Sequence, residues 1–195
     1  MVRLSIVLGS VLLVTAWATI GGTPAVAGEG HTYVGVAKCK MCHKSEAQGE
    51  QFPIWEKSAH AKAYATLAGD DAKAIAKEKG IEDPQKADAC LKCHVTGYGA
   101  AADMFGDKYD MANGVGCESC HGAGSDYDKM SVMKAVMAGT TKPESVGLVL
   151  PTEKTCTACH NSESPTFKSF DFEKMAAQIA HPIPAERKAQ YKTAE

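Results

Sequence analysis

Eight cysteines fall in four Cys-x-x-Cys pairs, each followed at once by a histidine, and nothing else in the chain constrains its fold as tightly. The motifs are Cys39-Lys-Met-Cys42-His43, Cys90-Leu-Lys-Cys93-His94, Cys117-Glu-Ser-Cys120-His121 and Cys156-Thr-Ala-Cys159-His160. On a helical turn, positions i, i+3 and i+4 share a face. Both thiols of a pair then reach the two vinyl groups of one porphyrin, and the histidine swings beneath the ring to bind iron. Such a run reads as c-type haem attachment. The expectation is four covalently attached haem c groups, each with its iron.

Three rival readings use the same cysteines. Eight cysteines in an exported chain suit four disulfides. Paired C-x₂-C runs suit two Cys₄ zinc sites, and a single pair suits a thioredoxin-like redox couple. None of these needs a histidine after every pair. With 7 histidines in 195 residues, four such neighbours arise by chance about two times in a million. The haem reading therefore leads.

The start of the chain points to export. Arg3 precedes an apolar run from Leu4 to Ile20, and Ala25-Val26-Ala27 has the form of a signal-peptidase site. Ser5, Gly9, Ser10, Thr15 and Thr19 dilute the run, and no basic stop-transfer flank follows it. Residues 1–27 are read as a signal peptide, residues 28–195 as one haem-bearing domain, and the location as periplasmic or extracellular. About 170 residues suit a single domain. No later segment is apolar enough to span a bilayer. The formal charge of −2 excludes a nucleic-acid binder on electrostatic grounds.

Helix signals are clear but brief. Pro53 opens a predicted helix over Ile54 to Leu67, stopped by Gly69. Further helices are predicted over Asp71 to Lys79, Asp128 to Ala138, Asp171 to Ala180 and Pro184 to Tyr191. Met130, Met133 and Met137 form a stripe on the Asp128 to Ala138 helix, read as core packing, with iron ligation as the alternative. Tyr33 to Val36 and Val146 to Leu150 are weak strand signals that pair briefly at most. Glycines crowd the loops around the second and third motifs, where they serve turns or a close approach to a flat ligand. Large aromatics are few. The expected fold is mainly α, with short helices and loops wrapped around the haems as core, and without cofactor the chain is not expected to fold.

Several segments carry a further signal: Cys93-His-Val-Thr-Gly-Tyr-Gly99, Gly114-Val-Gly-Cys-Glu-Ser-Cys-His-Gly-Ala-Gly124, Trp55 with Ser58-Ala-His-Ala-Lys-Ala63, and Phe172-Glu-Lys-Met175 leading to His181. Together they resemble the tetrahaem cytochrome c-554 family of ammonia-oxidising bacteria. The resemblance covers nearly all of the chain after residue 27. It implies a small, mainly helical multihaem fold with four haems in close, partly stacked pairs. It also implies distal ligands: His60 for the fourth haem and His181 for the third. The family has another distal histidine shortly after its third motif, where this chain reads Ser125-Asp-Tyr-Asp-Lys-Met-Ser131. His31, upstream of the first motif, is the candidate replacement for the first haem.

Electron transfer is the expected function, with redox proteins or extracellular acceptors as partners. No Ser-His-Asp set, paired acid site or nucleotide loop points to an enzyme. Two alternatives come from other classes. One is a subunit of an extracellular conductive filament, a homopolymer, as similar tetrahaem cytochromes form. The other is a reductase of nitric oxide or hydroxylamine at an iron lacking its sixth ligand, for which the second haem, at His94, is the candidate.

Overall fold

A computed structural model of the chain describes residues 30–181 and 183. The proposed leader (1–27) and the predicted helix from Pro184 to Tyr191 lie outside the described residues. Within them the architecture is short helices joined by long loops. The α-helices are α1 (Val36–Lys40), α2 (Gln51–Lys57), α3 (Ala63–Thr66), α4 (Asp70–Glu78), α5 (Asp88–His94), α6 (Cys117–His121), α7 (Met130–Met137), α8 (Glu153–Thr157) and α9 (Phe172–Ile179). No helix among them is long and apolar enough to cross a membrane. The fold is mainly α, as the sequence implies.

The cysteine motifs have their own short helices. The second and third motifs lie wholly on α5 and α6, while the first and fourth begin on α1 and α8 and finish in the following turn. Helices this short are weak alone, so tertiary bonds must hold them. Glu118, inside the third motif, supplies the strongest of these. It is 5% exposed, and its carboxylate accepts the backbone N–H groups of Val34, Gly35 and Gly124 at 2.8 Å each. The chain entering the first motif is thereby pinned to the third. Burial raises the pKa of this carboxyl, against the lowering effect of its three donors. Glu118→Ala is expected to leave those donors without an acceptor, at about 1–3 kcal/mol each. Calorimetry of the haem-loaded protein should show a much larger fall in the unfolding midpoint than for Glu56→Ala on the exposed surface.

A second tie runs between the second and third motifs. Thr96 is buried two residues past His94. Its hydroxyl accepts from the Gly116 N–H at 2.7 Å and donates to the Gly114 carbonyl at 3.0 Å. Tyr109 donates its hydroxyl to the Thr96 carbonyl at 2.7 Å.

The apolar core is thin. Tyr127, Val136 and Leu148 form a buried cluster, with Val132, Met133 and Val146 packed against it. No large side chain among the described residues falls below 2% exposure. A flat prosthetic group would supply the missing core.

Three expectations need correction. The helix predicted over Ile54 to Leu67 is broken: α2 ends at Lys57, a 3₁₀ turn covers His60–Lys62, and α3 follows. Ser58 causes the break, with extended backbone (φ −77°, ψ 164°) and its hydroxyl donated to the Trp55 carbonyl at 2.6 Å. The side chain competes locally with the helix ladder. Pro53 sits inside the first turn of α2, whose start lies two residues earlier than predicted. The two weak strands do not pair with each other. Tyr33 instead makes an isolated parallel bridge with Phe105, and Val146 ends a 3₁₀ turn (Pro143–Val146). The methionine stripe is only partly core, because Met130 is 59% exposed and α7 buries its Val132–Met133–Val136 side.

Candidate haem centres

The motif helices bring thiols of different motifs together. Cys39 and Cys117 lie close enough to shift each other's thiol pKa, as do Cys93 and Cys159, while Cys120 lies near Cys156 and Cys159. The four attachment sites therefore follow one another in space as first, third, fourth, second. An ion pair between Lys92 of the second motif and Glu163, just past the fourth, reinforces the last step. None of the eight cysteines is disulfide-bonded. Among the described residues no group of three or more Cys, His, Asp or Glu side chains is arranged to hold a metal ion by itself.

Two histidine pairs carry more information. The His60 and His160 ring centres are 5.9 Å apart, and those of His121 and His181 are 5.8 Å apart. An imidazole nitrogen binds a metal at about 2 Å, so two imidazoles on opposite sides of one ion have ring centres on the order of 6 Å apart. The spacing of both pairs fits one iron between each. In sequence these residues are far apart, and each pair joins a motif histidine to one outside the motifs.

Charge and tautomer suit the same task. Burial, then the facing His160, lowers the pKa of His60. Burial likewise lowers that of His121, with smaller contributions from His181 and His43. Lowered values keep these rings neutral, the form that binds metal. The Nδ1 of His94 lies 2.6 Å from the Ala63 carbonyl, and that of His121 lies 3.1 Å from the Val149 carbonyl. A carbonyl accepts only, so Nδ1 carries the proton and Nε2 presents its lone pair. This is the usual outer support for a metal-bound histidine. Val149 also donates its N–H to the His121 carbonyl at 2.8 Å. His160 instead stacks on Phe170, with centroids 5.0 Å apart.

His31 is held from two sides. Its Nδ1 is 3.1 Å from Asp126 Oδ2, close but without hydrogen-bond alignment. Gly147 (φ +75°) lies on the ring: a Cβ there would meet Cγ, Cδ2 and Nε2 at 3.0, 2.8 and 3.0 Å. Such even distances mean the ring face rests on the glycine, so only a residue without a side chain fits. Thr32 and Ser125 bond each other, Thr32 N–H to the Ser125 hydroxyl at 3.0 Å and Ser125 N–H to the Thr32 carbonyl at 3.1 Å. His31 is thus set beside the stretch just after the third motif. His43 lies close enough to His121 to influence its charge. Among the described residues no histidine ring is paired with His94 as His60 is with His160.

Sequence reasoning missed the backbone partners of these rings. Ala63 and Val149 act through main-chain groups, which leave no signal in side-chain identity. Glu118 stood inside a motif as an interchangeable position, and only its glycine-rich surroundings hinted at a special role.

Comparisons with known proteins agree with the geometry. Residues 38–122 match the family described as cytochrome c554 and c-prime. Cytochrome c-554 of Nitrosomonas europaea is 34% identical over 140 residues, which cover 66% of this chain. The chain spans 57% of the length of that relative. The solved structure of reduced cytochrome c554 from the same organism superposes with a TM-score of 0.51 at 26% identity, covering 76% of this chain and 78% of the other.

Proposed function

Given that the chain belongs to the cytochrome c554 family, we propose that it is an exported electron carrier. It binds four covalent c-type haems. When bound, each haem supplies a one-electron iron couple whose potential depends on axial ligands, burial and hydrogen bonds. The protein's part is to attach, space and ligate. Cys39/Cys42, Cys90/Cys93, Cys117/Cys120 and Cys156/Cys159 form the thioethers, and His43, His94, His121 and His160 are the proximal ligands. His60 and His181 stand opposite His160 and His121 as distal ligands, and His31 serves the first haem. The pairing of His60 with His160 at 5.9 Å is the observation that carries this reading. Residues 1–27 act as the leader, the location is the periplasm or outside the cell, and the partners are redox proteins.

The experiment is direct. Protein matured in a host with haem-ligation machinery is expected to exceed its apo mass by four haems and to keep its colour through acid-acetone extraction. A spectroelectrochemical titration should then show four one-electron steps. Three or fewer haems would remove one motif from the scheme.

A second reading, reduction of nitric oxide or hydroxylamine, is favoured by one observation. His94 has an oriented Nε2 but no facing imidazole among the described residues. Steady turnover of either substrate by the reduced protein would support it. The filament alternative rests on the resemblance alone.

A further inference from the structure

The two proximal histidines with support from the main chain are aimed by their own rings, each through Nδ1 to a carbonyl. His60 is different. Among the described residues its ring makes no hydrogen bond, so its aim at His160 is set by where its backbone is held. That backbone is a three-residue 3₁₀ turn (His60–Lys62), too short to hold itself.

We propose that Trp55 is a positioning residue for the distal ligand of the fourth haem, holding His60 through the backbone of Val115. The proposal rests on the reading of His60 as that ligand. Val115 is the shared anchor. Its carbonyl accepts from Trp55 Nε1 at 2.8 Å, and its N–H donates to the His60 carbonyl at 3.0 Å. The two contacts fix the residues on either side of the Ser58 break to one point of the chain, two residues ahead of Cys117. Ser58 completes the loop, accepting from the Ala61 N–H at 3.5 Å while donating to the Trp55 carbonyl. Gly114 permits the approach: with φ +65°, a Cβ there would stand 2.8 Å from the His60 carbonyl oxygen and 3.1 Å from the Ala63 nitrogen. The indole N–H therefore acts on the fourth iron through main chain alone. The same segment carries Ala63, whose carbonyl orients His94, so it serves the second and fourth sites together.

The test uses the haem-loaded protein, reduced and titrated with carbon monoxide, which competes with His60 for the fourth iron. His60→Ala identifies that phase of the titration. Trp55→Phe keeps the aromatic contact with Phe52 but removes the donor. Loss of one hydrogen bond is expected to raise carbon monoxide affinity in that phase about fivefold to tenfold. The phases of the first and third irons should stay unchanged, as a generally loosened fold would not leave them. A change below about twofold in that phase overturns the proposal. If His60→Ala leaves every iron's ligation unaltered, the ligand assignment itself fails, and this proposal with it. The unsubstituted protein gives a second measurement, independent of whether Trp55→Phe matures. By reciprocity of coupled equilibria, saturating the fourth iron with carbon monoxide should speed exchange of the Trp55 indole proton about fivefold. An exchange rate indifferent to carbon monoxide overturns the proposal equally.

Discussion

His60→Ala and His181→Ala are each expected to turn one low-spin haem of the loaded protein into a high-spin one, with haem content still at four. The expectation follows from geometry. Each residue faces one motif histidine at a spacing that admits a single metal. Removing it leaves an iron with one protein ligand, and a five-coordinate or water-ligated iron is high spin. Loss of an imidazole ligand also shifts that iron's potential, so one step of the redox titration should move while three stay. Resonance Raman spectra of the two variants, compared with wild type, provide the check. If His181→Ala leaves spectra and potentials unaltered, its ring at 5.8 Å from His121 is packing only. The double variant should show both changes additively, since the two sites are different irons.

The legibility of this molecule divides by range. Much that is local could be read from the sequence. The cysteine spacing is a property of one helical turn, and α4, α7 and α9 came within about two residues of their predicted bounds because caps and glycines are local signals. Asp171 shows why: its carboxylate accepts the Lys174 N–H at 3.1 Å, the bond its position predicts. What bridges long separations was not legible from residue patterns. No periodicity says that Glu118 reaches Val34, 84 residues earlier, and its acceptors' partners are backbone groups with no identity to read. The partners of His60 and His181 came from the family resemblance, and the structure brings those rings to the motif histidines that the resemblance implied. The Ser58 break was missed for a different reason. Ile54 to Leu67 consists of good helix formers, and local propensity was overridden by a side-chain bond and by the anchor at Val115. The thin core follows from the same division: a sequence poor in large aromatics leaves room that no pairing of its own side chains can fill.

Counting imidazoles yields the most restrictive expectation. Bis-histidine ligation of four haems takes two histidines each, eight in all, and this chain has 7. Four are proximal. On the proposed ligation His60 and His181 serve the irons of His160 and His121, whose rings they face, so His31 alone remains for the first and second haems. Its surroundings read as a built ligand site: a carboxylate at Nδ1, a glycine under the ring, and a backbone pair between Thr32 and Ser125 fixing the segment. With His31 on the first iron, the second, on His94, is the one left open. Exchange of His31 between neighbouring chains would redistribute the histidines without curing the shortage. Electron paramagnetic resonance of the oxidised protein should therefore show one high-spin iron in four, and nitric oxide should abolish that signal. His31→Ala is expected to double it, whereas a methionine serving the second iron would remove it from wild type altogether. Four low-spin irons, all with histidine ligands only, would contradict the count and require an imidazole from another protein.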